Sequence, residues 1–424
     1  MHNRDIDTAL TYHEETKHSY DSVYHNHHFL DWDNQPRPFK LYVDLEPYSL
    51  PSTLSNSHLP ALQALAPSRD EQKPQTRLTL DDLAYILFYS AGVTKRRSYP
   101  GYGEMLFRAA ACTGALYHIE LYVAIADLPG LPAGLYHFGP VDFALRLLRQ
   151  GDYRQVLVVA SGSHVALQDA PIIVVGSGTL WRNAWKYRAR AYRHSFWDSG
   201  TILANLMAAA SARDFPARLV VGFADTQVNT LLGLDTEREV ALFLVGLGRG
   251  EPQRTALSPV EPLDLEVVPL SREEIDYPAI RIIHAASALD SPEAVVGWRD
   301  TLFPMLRSVV SGMMFPLCPE LYGQLPEGSL ESVICKRGSA RAFAHQPLSL
   351  AQLSNVLVGA TQSIPTDFLE DSNVRLNEIY LIVHAVADLL PGAYVFRGSE
   401  QSLELLKEGD FRHQAGVLAL GQDL

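Results

Sequence analysis

The chain has 424 residues, of which 47% are hydrophobic and 20% charged, and it carries a formal net charge of −13. This length predicts about two to four domains, each with its own core, and the acidic balance argues against a nucleic-acid-binding surface. The three cysteines (Cys112, Cys318 and Cys335) lie far apart, so we expect neither a disulfide framework nor a metal site.

No apolar run reaches the roughly 18 residues that a membrane helix requires. The polar, His-rich stretch from Met1 to Leu30 also lacks the apolar core of a secretory signal. We therefore expect a cytoplasmic protein that contacts neither nucleic acid nor a membrane.

Residues 1–75 are rich in His, Tyr, Asp and Pro with little periodicity, and they predict an extension packed on the first domain. A helix is predicted over 78–92, where apolar residues follow helical spacing, Thr79 is a candidate N-cap and Gly92 a candidate stop. A helix buried on most sides is predicted over 201–212. Runs typical of strands occur at 119–126, 134–138, 156–160, 171–175 and 240–246. Because these elements do not alternate strictly, the pattern favours an α+β fold.

Residues 251–275 are rich in proline and acidic residues and form the predicted linker, and helices are predicted over 280–289 and 292–310. Segments from before the linker recur in order beyond it: 78–83 as 348–353, 126–128 as 387–389, 132–136 as 391–394, and 147–154 as 405–412. This order predicts a tandem duplication, with copy one at 76–250 and copy two at 276–424, which together form an internal pseudo-dimer. Copy two ends before the counterparts of 201–212 and 240–246, so we expect a fragment of a chain of about 510 residues.

Two segments are candidates for binding a phosphorylated, flat ligand. Arg337, Ser339 and Arg341 stand just before the first helix of copy two, and two guanidinium groups with a hydroxyl between them can converge on a phosphate. Residues 111–120 are small at first and lead into a strand, so that backbone can approach a flat ligand closely. A solvated basic turn and a tight strand entry are the respective alternatives.

A third segment, 185–193, is basic and lies directly ahead of the predicted buried helix. Within it, Lys186 and Tyr187 are adjacent and near an apolar wall, where they can act as an acid–base pair. The alternative is an exposed helix face, because basic residues at this density often lie in solvent.

Taken together in this order, the three segments resemble the SagB-type dehydrogenases of the nitroreductase superfamily, FMN enzymes that oxidise thiazolines and oxazolines in modified peptides to azoles. The resemblance covers nearly all of residues 10–250 and runs through 12–18, 90–96, 114–117, 134–138 and 186–193. Copy two matches more faintly, but its Arg337-Gly338-Ser339-Ala340-Arg341 resembles the superfamily's phosphate-binding motif.

The resemblance implies a mixed, mostly antiparallel sheet flanked by helices, with FMN bound where two halves meet. It implies one composite site, in which Arg337, Ser339 and Arg341 of copy two hold the FMN phosphate. The flavin ring would lie against a loop of copy one, formed by Cys112, Thr113, Gly114, Ala115, Leu116 and Tyr117. Arg249 would add a phosphate contact. The complementary second site would be degenerate, since copy one has no R-x-S-x-R motif before Leu78.

The resemblance also implies the catalytic residues, because the family's adjacent Lys-Tyr pair falls on Lys186 and Tyr187. The lysine would remove a ring proton, and the tyrosine hydroxyl would orient the ring or relay the proton. The family loop usually reads Pro-Ser-Ala-Gly-Ala-Leu-Tyr-Pro, whereas here two prolines are lost and Cys112 replaces the serine. We therefore expect a looser loop than in the family.

Three functions stay open from the sequence. The first is an FMN-dependent, SagB-type dehydrogenase that oxidises a peptide-borne or small azoline heterocycle. The second is an NAD(P)H-dependent nitro- or quinone reductase, although retention of Lys186 and Tyr187 favours the first. The third is a catalytically idle scaffold partner in a biosynthetic complex. Further self-association of the pseudo-dimer is also left open.

Overall fold

The computed structural model describes residues 3, 5–25, 28–65, 77–101, 103–250, 260–300, 312–320, 328–340, 342–369 and 376–421. Its helices are α1 (Ile6–Thr16), α2 (Tyr20–Tyr24), α3 (Ala61–Ala64), α4 (Leu80–Ala91), α5 (Arg154–Ala160), α6 (Val165–Gln168), α7 (Leu180–Tyr187), α8 (Ala191–Ser211), α9 (Asp225–Leu232), α10 (Pro278–Ser287), α11 (Pro292–Arg299), α12 (Leu330–Lys336), α13 (Leu350–Ala360) and α14 (Arg412–Leu418). Its strands are β1 (Pro47–Ser49), β2 (Val93–Tyr99), β3 (Gly103–Arg108), β4 (Ile119–Ile125), β5 (Gly134–Gly139), β6 (Ala144–Gln150), β7 (Ile172–Thr179), β8 (Ala217–Val220), β9 (Glu239–Leu247), β10 (Met313–Pro316), β11 (Ile379–Val383), β12 (Gly392–Arg397) and β13 (Ser402–Glu408).

The main sheet is antiparallel and lies before the linker. Within the described ranges its seven strands follow the order β1-β6-β5-β4-β7-β9-β8. Strands β4, β7 and β9 are buried along their whole length, because an apolar cluster covers each face of the sheet. Helices α4 and α8 contribute to one cluster, and α5 and α9 to the other. The predicted α+β fold, an antiparallel sheet flanked by helices, is confirmed.

Most elements predicted for this half are present, with bounds shifted by a few residues. Helix α4 begins with a capping box, in which Thr79 and Asp82 each accept a hydrogen bond from the other's backbone N–H. The predicted buried helix begins earlier, at Ala191. Of the predicted helix 292–310, the structure contains α11, and 301–310 lie outside the described residues.

The strand predicted at 156–160 is wrong, because these residues belong to helix α5. Leu157 and Ala160 are fully buried and pack into the same apolar cluster as α9. Arg154, the first residue of the helix, donates to the Asp152 carboxylate and to the carbonyl oxygen of Ala170. Valine favours strands only weakly, so the burial of one helical face outweighs its preference.

A smaller sheet beyond the linker repeats features of the main one. In the described part of this half its order is β10-β13-β12-β11, and α13 packs on it. The β12–β13 pairing shifts register between Ala393 and Tyr394, and the β5–β6 pairing shifts between Leu135 and Tyr136. Both tyrosine hydroxyls donate to the carbonyl oxygen four residues earlier, at 2.7 and 2.8 Å. These parallels support the predicted tandem duplication, which remains our proposal.

Two polar clusters join the halves. Asp367 accepts hydrogen bonds from the backbone N–H groups of residues 221–222, and the Arg299 guanidinium donates to the same carboxylate at 2.6 and 2.9 Å. Near the start of α12, the Glu331 carboxylate accepts a hydrogen bond of 2.7 Å from the Tyr85 hydroxyl. These contacts hold α12 and the residues that follow it against copy one.

The N-terminal segment packs on the first half. The Tyr12 hydroxyl donates to the carbonyl oxygen of Ala189 at 2.7 Å, and the Lys40 ammonium pairs with the Glu239 carboxylate at 2.9 Å. Of the predicted linker, 251–259 lie outside the described residues, and 260–275 run beside the N-terminal segment. In the part of the chain that the structure describes, no helix is both long and apolar enough to cross a membrane.

Candidate active site

The loop between β3 and β4 has an unusual backbone. Gly114, Ala115 and Tyr117 have positive φ angles of 65°, 55° and 50°. A Cβ added at Gly114 would lie 2.9 Å from the hydroxyl oxygen of Tyr187. Glycine therefore serves both the backbone conformation and the close approach of Tyr187. Other residue types with positive φ are uncommon and cluster at functional sites.

Asp198 of α8 holds this loop in place. Its carboxylate accepts hydrogen bonds from the Thr113 N–H at 3.0 Å, the Thr113 hydroxyl at 2.8 Å and the Cys112 thiol at 3.1 Å. The backbone N–H of Tyr117 donates to the Cys112 sulfur at 3.0 Å. Burial and the nearby Asp198 charge raise the pKa of the Cys112 thiol, which keeps it a donor. These contacts tie the loop to α8 and to itself; the expectation that losing two family prolines makes it looser than in the family stays a prediction.

Lys186 and Tyr187 end helix α7 and are half-buried. The Lys186 Nζ lies 5.5 Å from the centroid of the Tyr187 ring, and the Tyr187 hydroxyl lies against Gly114. Tyr187 also packs edge-on against His194, with ring centroids 4.6 Å apart. Burial, with two acidic neighbours, raises the pKa of Tyr187, so its hydroxyl is neutral and can donate a hydrogen bond. The structure thus brings the predicted catalytic pair to the predicted cofactor loop.

The basic residues around this pair do not form a freely exposed helix face. Arg190 donates to the carbonyl oxygen of Thr16 at 2.5 Å, and Arg193 donates to the Thr16 hydroxyl at 2.9 Å. The Arg190 guanidinium also lies 5.5 Å from a Trp197 ring centroid. Helix α1 therefore covers part of segment 185–193, which argues against the alternative of a solvated face.

Arg337 brings the second half of the chain to the loop. It follows α12 as its C-cap, is exposed, and donates from Nη2 to the carbonyl oxygen of Arg108 at 3.4 Å. Arg108 precedes the loop, and its guanidinium lies 5.1 Å from the Tyr117 ring centroid. Ser339 is exposed two residues further on, and Arg341 lies outside the described residues. At least one cation of the predicted phosphate motif is therefore next to the copy-one loop.

Arg249 does not lie at this site. It follows the end of β9, where Leu247 pairs with Ile172. The loop lies at the opposite end of the sheet, where Ile119 of β4 pairs with Gly178. The length of β7 separates the two ends, so the assignment of Arg249 to the composite site is corrected.

A buried ionic network lies behind the loop, and sequence patterns did not predict it. Arg182 lies one turn before Lys186 on α7 and is fully buried. Its guanidinium donates to the Tyr117 carbonyl oxygen at 2.8 Å and to the Glu120 carboxylate at 2.6 Å. Glu120 also pairs with His137 at 3.0 Å. Burial would raise the pKa of Glu120, but Arg182 and His137 outweigh burial and lower it. A charged residue within an apolar run is the sequence signal that could have revealed both Arg182 and Glu120.

A small cavity of about 10 Å³ lies beside the loop. Arg108, Cys112 and Asp198 supply its polar wall. The remaining lining side chains are apolar or aromatic: Ala91, Ala110, Ala111, Tyr117, Ile119 and Ile202.

Comparison with known proteins shows which family this region resembles. The profile of the Nitroreductase family matches residues 106–249. MJ1384 of Methanocaldococcus jannaschii, whose name assigns it to the nitroreductases, is 26% identical over 172 residues, which are 41% of this chain and 81% of that protein. The trifolitoxin-processing protein TfxB of Rhizobium leguminosarum bv. trifolii is 28% identical over 179 residues, which are 39% of this chain and 46% of TfxB.

A solved structure supports the fold over a wider range. A nitroreductase-type protein from Anabaena variabilis superposes with a TM-score of 0.69 at 24% identity, covering 98% of this chain and 82% of that one. This likeness shows a nitroreductase-like fold. Residues 106–249, which match the model of the Nitroreductase family, contain the loop, Lys186 and Tyr187.

Proposed function

We propose that the chain is a SagB-type dehydrogenase that oxidises a peptide-borne azoline heterocycle with the help of FMN. One observation carries this proposal: Arg337 of the second half donates to the carbonyl oxygen of Arg108, which directly precedes the copy-one loop, and the Tyr187 hydroxyl lies against Gly114 of that loop. A candidate phosphate-binding cation, a small-residue loop and an acid–base pair therefore share one neighbourhood.

The residues present fit FMN. Arg337 offers an exposed guanidinium for the phosphate, and Ser339 an exposed hydroxyl. The flavin ring would lie against the surface of the loop at Cys112 and Tyr117, which also line the small cavity there. When bound, FMN supplies the hydride acceptor, which no side chain of the chain can replace.

The chain's own residues would handle the proton and the geometry. Oxidation of an azoline ring removes a proton and a hydride from ring carbons. Lys186 would accept the proton at Nζ, and the neutral hydroxyl of Tyr187 would donate a hydrogen bond to a ring heteroatom and so orient the substrate. Asp198 and Arg182 would not touch substrate; they hold the loop from behind, so that its geometry is set before binding.

A peptide substrate is supported by the relative TfxB, whose name refers to the processing of trifolitoxin. The loop and the Lys-Tyr pair lie within residues 106–249, the part that matches the family.

Two alternative functions are a catalytically idle scaffold and an NAD(P)H-dependent reductase. A catalytically idle scaffold has no use for the tight approach of Tyr187 to Gly114, so this contact favours an enzyme. An NAD(P)H-dependent reductase is the second candidate, because MJ1384 matches a similar share of the chain under a nitroreductase name.

The test is an assay of the purified protein with an azoline-containing peptide under oxygen and, separately, with NAD(P)H and a nitroaromatic. We expect azole formation by the wild type and a loss of about 100-fold or more in Lys186→Ala. Lys336→Ala, at an exposed lysine, is the matched control and should keep its activity. Nitroaromatic reduction without azole formation would favour the reductase, and bound flavin without either turnover would favour the scaffold.

A further inference from the structure

A cluster with metal-ligand chemistry lies behind the loop. Cys112, His118 and Asp198 each offer one ligand atom, and these atoms lie within 4.8 Å of one another. Asp198 Oδ2 lies 3.1 Å from the Cys112 Sγ and 3.4 Å from the His118 Nδ1. Such separations are close to those around a tetrahedral Zn²⁺, for which Zn–S is about 2.3 Å and Zn–N and Zn–O about 2.0–2.2 Å.

His118 is the independent sign that a ligand belongs here. Its side chain is fully buried, and among the described residues neither ring nitrogen has a hydrogen-bond partner. Buried polar atoms are nearly always satisfied, so two such atoms on one ring require an explanation.

We propose that Cys112, His118 and Asp198 bind a divalent metal ion of the Zn²⁺ type. A thiolate and a carboxylate balance the charge of the ion and the imidazole adds none, so the complex is neutral overall, as burial favours. A sulfur, nitrogen and oxygen set suits zinc and disfavours Mg²⁺ and Ca²⁺, which take oxygen ligands. On binding, the Cys112 thiol gives up its proton to solvent, and the metal–sulfur bond replaces the S–H bond.

The surroundings are those of a coordinated site. The N–H and hydroxyl of Thr113 orient the Asp198 carboxylate, and the Tyr117 N–H donates to the Cys112 sulfur. Such outer hydrogen bonds fix the direction of metal ligands. Three protein ligands leave one position open, and the neighbouring cavity borders both Cys112 and Asp198. The sequence predicted no metal site, because residues 112, 118 and 198 have no recognised ligand spacing and only the fold brings them together.

The test is isothermal titration of the chelator-treated full chain with Zn²⁺ in two buffers of different ionisation enthalpy. We expect one Zn²⁺ per chain and the release of about one proton. Cys112→Ala and His118→Gln should each weaken Zn²⁺ binding by at least about 100-fold. Loss of a group that only hydrogen-bonds to a metal ligand already weakens metal binding by about 10- to 100-fold. The double variant Cys318→Ser/Cys335→Ser, which changes two exposed thiols, should bind like the wild type.

Circular dichroism of each variant separates loss of the ligand from loss of the fold. If Cys112→Ala does not fold, His118→Gln decides the result. The proposal is overturned if the wild type takes up no stoichiometric Zn²⁺. It is equally overturned if His118→Gln binds as tightly as the wild type, or if binding disappears in the double variant. Because the readout is metal uptake, this outcome does not depend on turnover.

Discussion

Replacing Tyr85 with phenylalanine removes one hydrogen bond between the two halves of the chain. The Tyr85 hydroxyl donates to Glu331 Oε1 at 2.7 Å, and the same oxygen accepts hydrogen bonds of 2.7 Å from the backbone N–H and the hydroxyl of Ser57. A hydrogen bond to a charged group contributes about 1.5–3 kcal/mol. Both Ser57 donors remain in the variant, so we expect the free energy of unfolding to fall by an amount near the lower limit, about 1.5 kcal/mol.

Urea unfolding of the wild type and Tyr85→Phe measures this loss. Tyr380→Phe is the matched control, because the Tyr380 hydroxyl also donates to a carboxylate, that of Glu378 at 2.6 Å, but the residue is 63% exposed. We expect the control to change stability by less than about 0.5 kcal/mol. Equal losses in both variants, or no loss in Tyr85→Phe, would refute this reasoning.

The same contact predicts how stability depends on pH. Burial would raise the pKa of Glu331, but the hydrogen bonds from Tyr85 and Ser57 outweigh burial and lower that pKa from 4.5 to about 2. Because the folded-state pKa is the lower one, ionised Glu331 stabilises the fold above about pH 4.5, and this contribution is lost as the pH falls towards 2. Unfolding free energies measured between about pH 5 and 2 should therefore fall less steeply in Glu331→Gln. An unchanged slope would contradict the assignment.

Three further substitutions test the loop and the corrected site. Gly114→Ala places a Cβ against Tyr187 and needs a left-handed backbone, which costs about 1–2 kcal/mol. We expect kcat to fall while the circular dichroism spectrum stays native. An unchanged kcat would argue against the close approach of the Tyr187 hydroxyl to Gly114. Asp198→Asn should weaken FMN binding at least about tenfold, or about 1.4 kcal/mol, because a neutral acceptor holds the loop less firmly than a carboxylate does. Flavin fluorescence titrations measure this Kd, and an unchanged Kd would contradict the role of Asp198 in holding the loop. Arg249→Ala should leave the FMN Kd within about twofold of the wild type, and a tenfold rise would contradict its placement at the far end of the sheet.

Local patterns predicted much of the first half. The apolar spacing and the candidate cap at Thr79 correctly predicted α4, and short runs rich in strand-forming residues predicted β4 and β7. The failure at 156–160 has a physical cause: five consecutive apolar residues fit a buried strand or a buried helix, and only packing against α9 decides between them.

The site was predictable where its residues are neighbours in sequence. Lys186 and Tyr187 are adjacent, and the loop is one continuous segment. Asp198 was missed because it lies 86 positions from Cys112, the thiol that donates to it. Arg249 was misplaced because motif order says nothing about strand register, which puts it at the opposite end of β7. Distant pairings of this kind depend on the folded chain and leave no local pattern.

The affinity of the full chain for FMN, compared between Arg337→Ala and Lys336→Ala, tests the composite site most directly. Both variants remove one exposed positive charge at the end of α12, and Arg337 is the one that donates to Arg108, directly before the copy-one loop. A charge-assisted contact to phosphate is worth about 1.5–3 kcal/mol, so Arg337→Ala should raise the Kd by about 10- to 100-fold. Lys336→Ala should stay within about twofold of the wild type. Equal Kd values in the wild type and both variants would contradict an FMN site shared between the two halves.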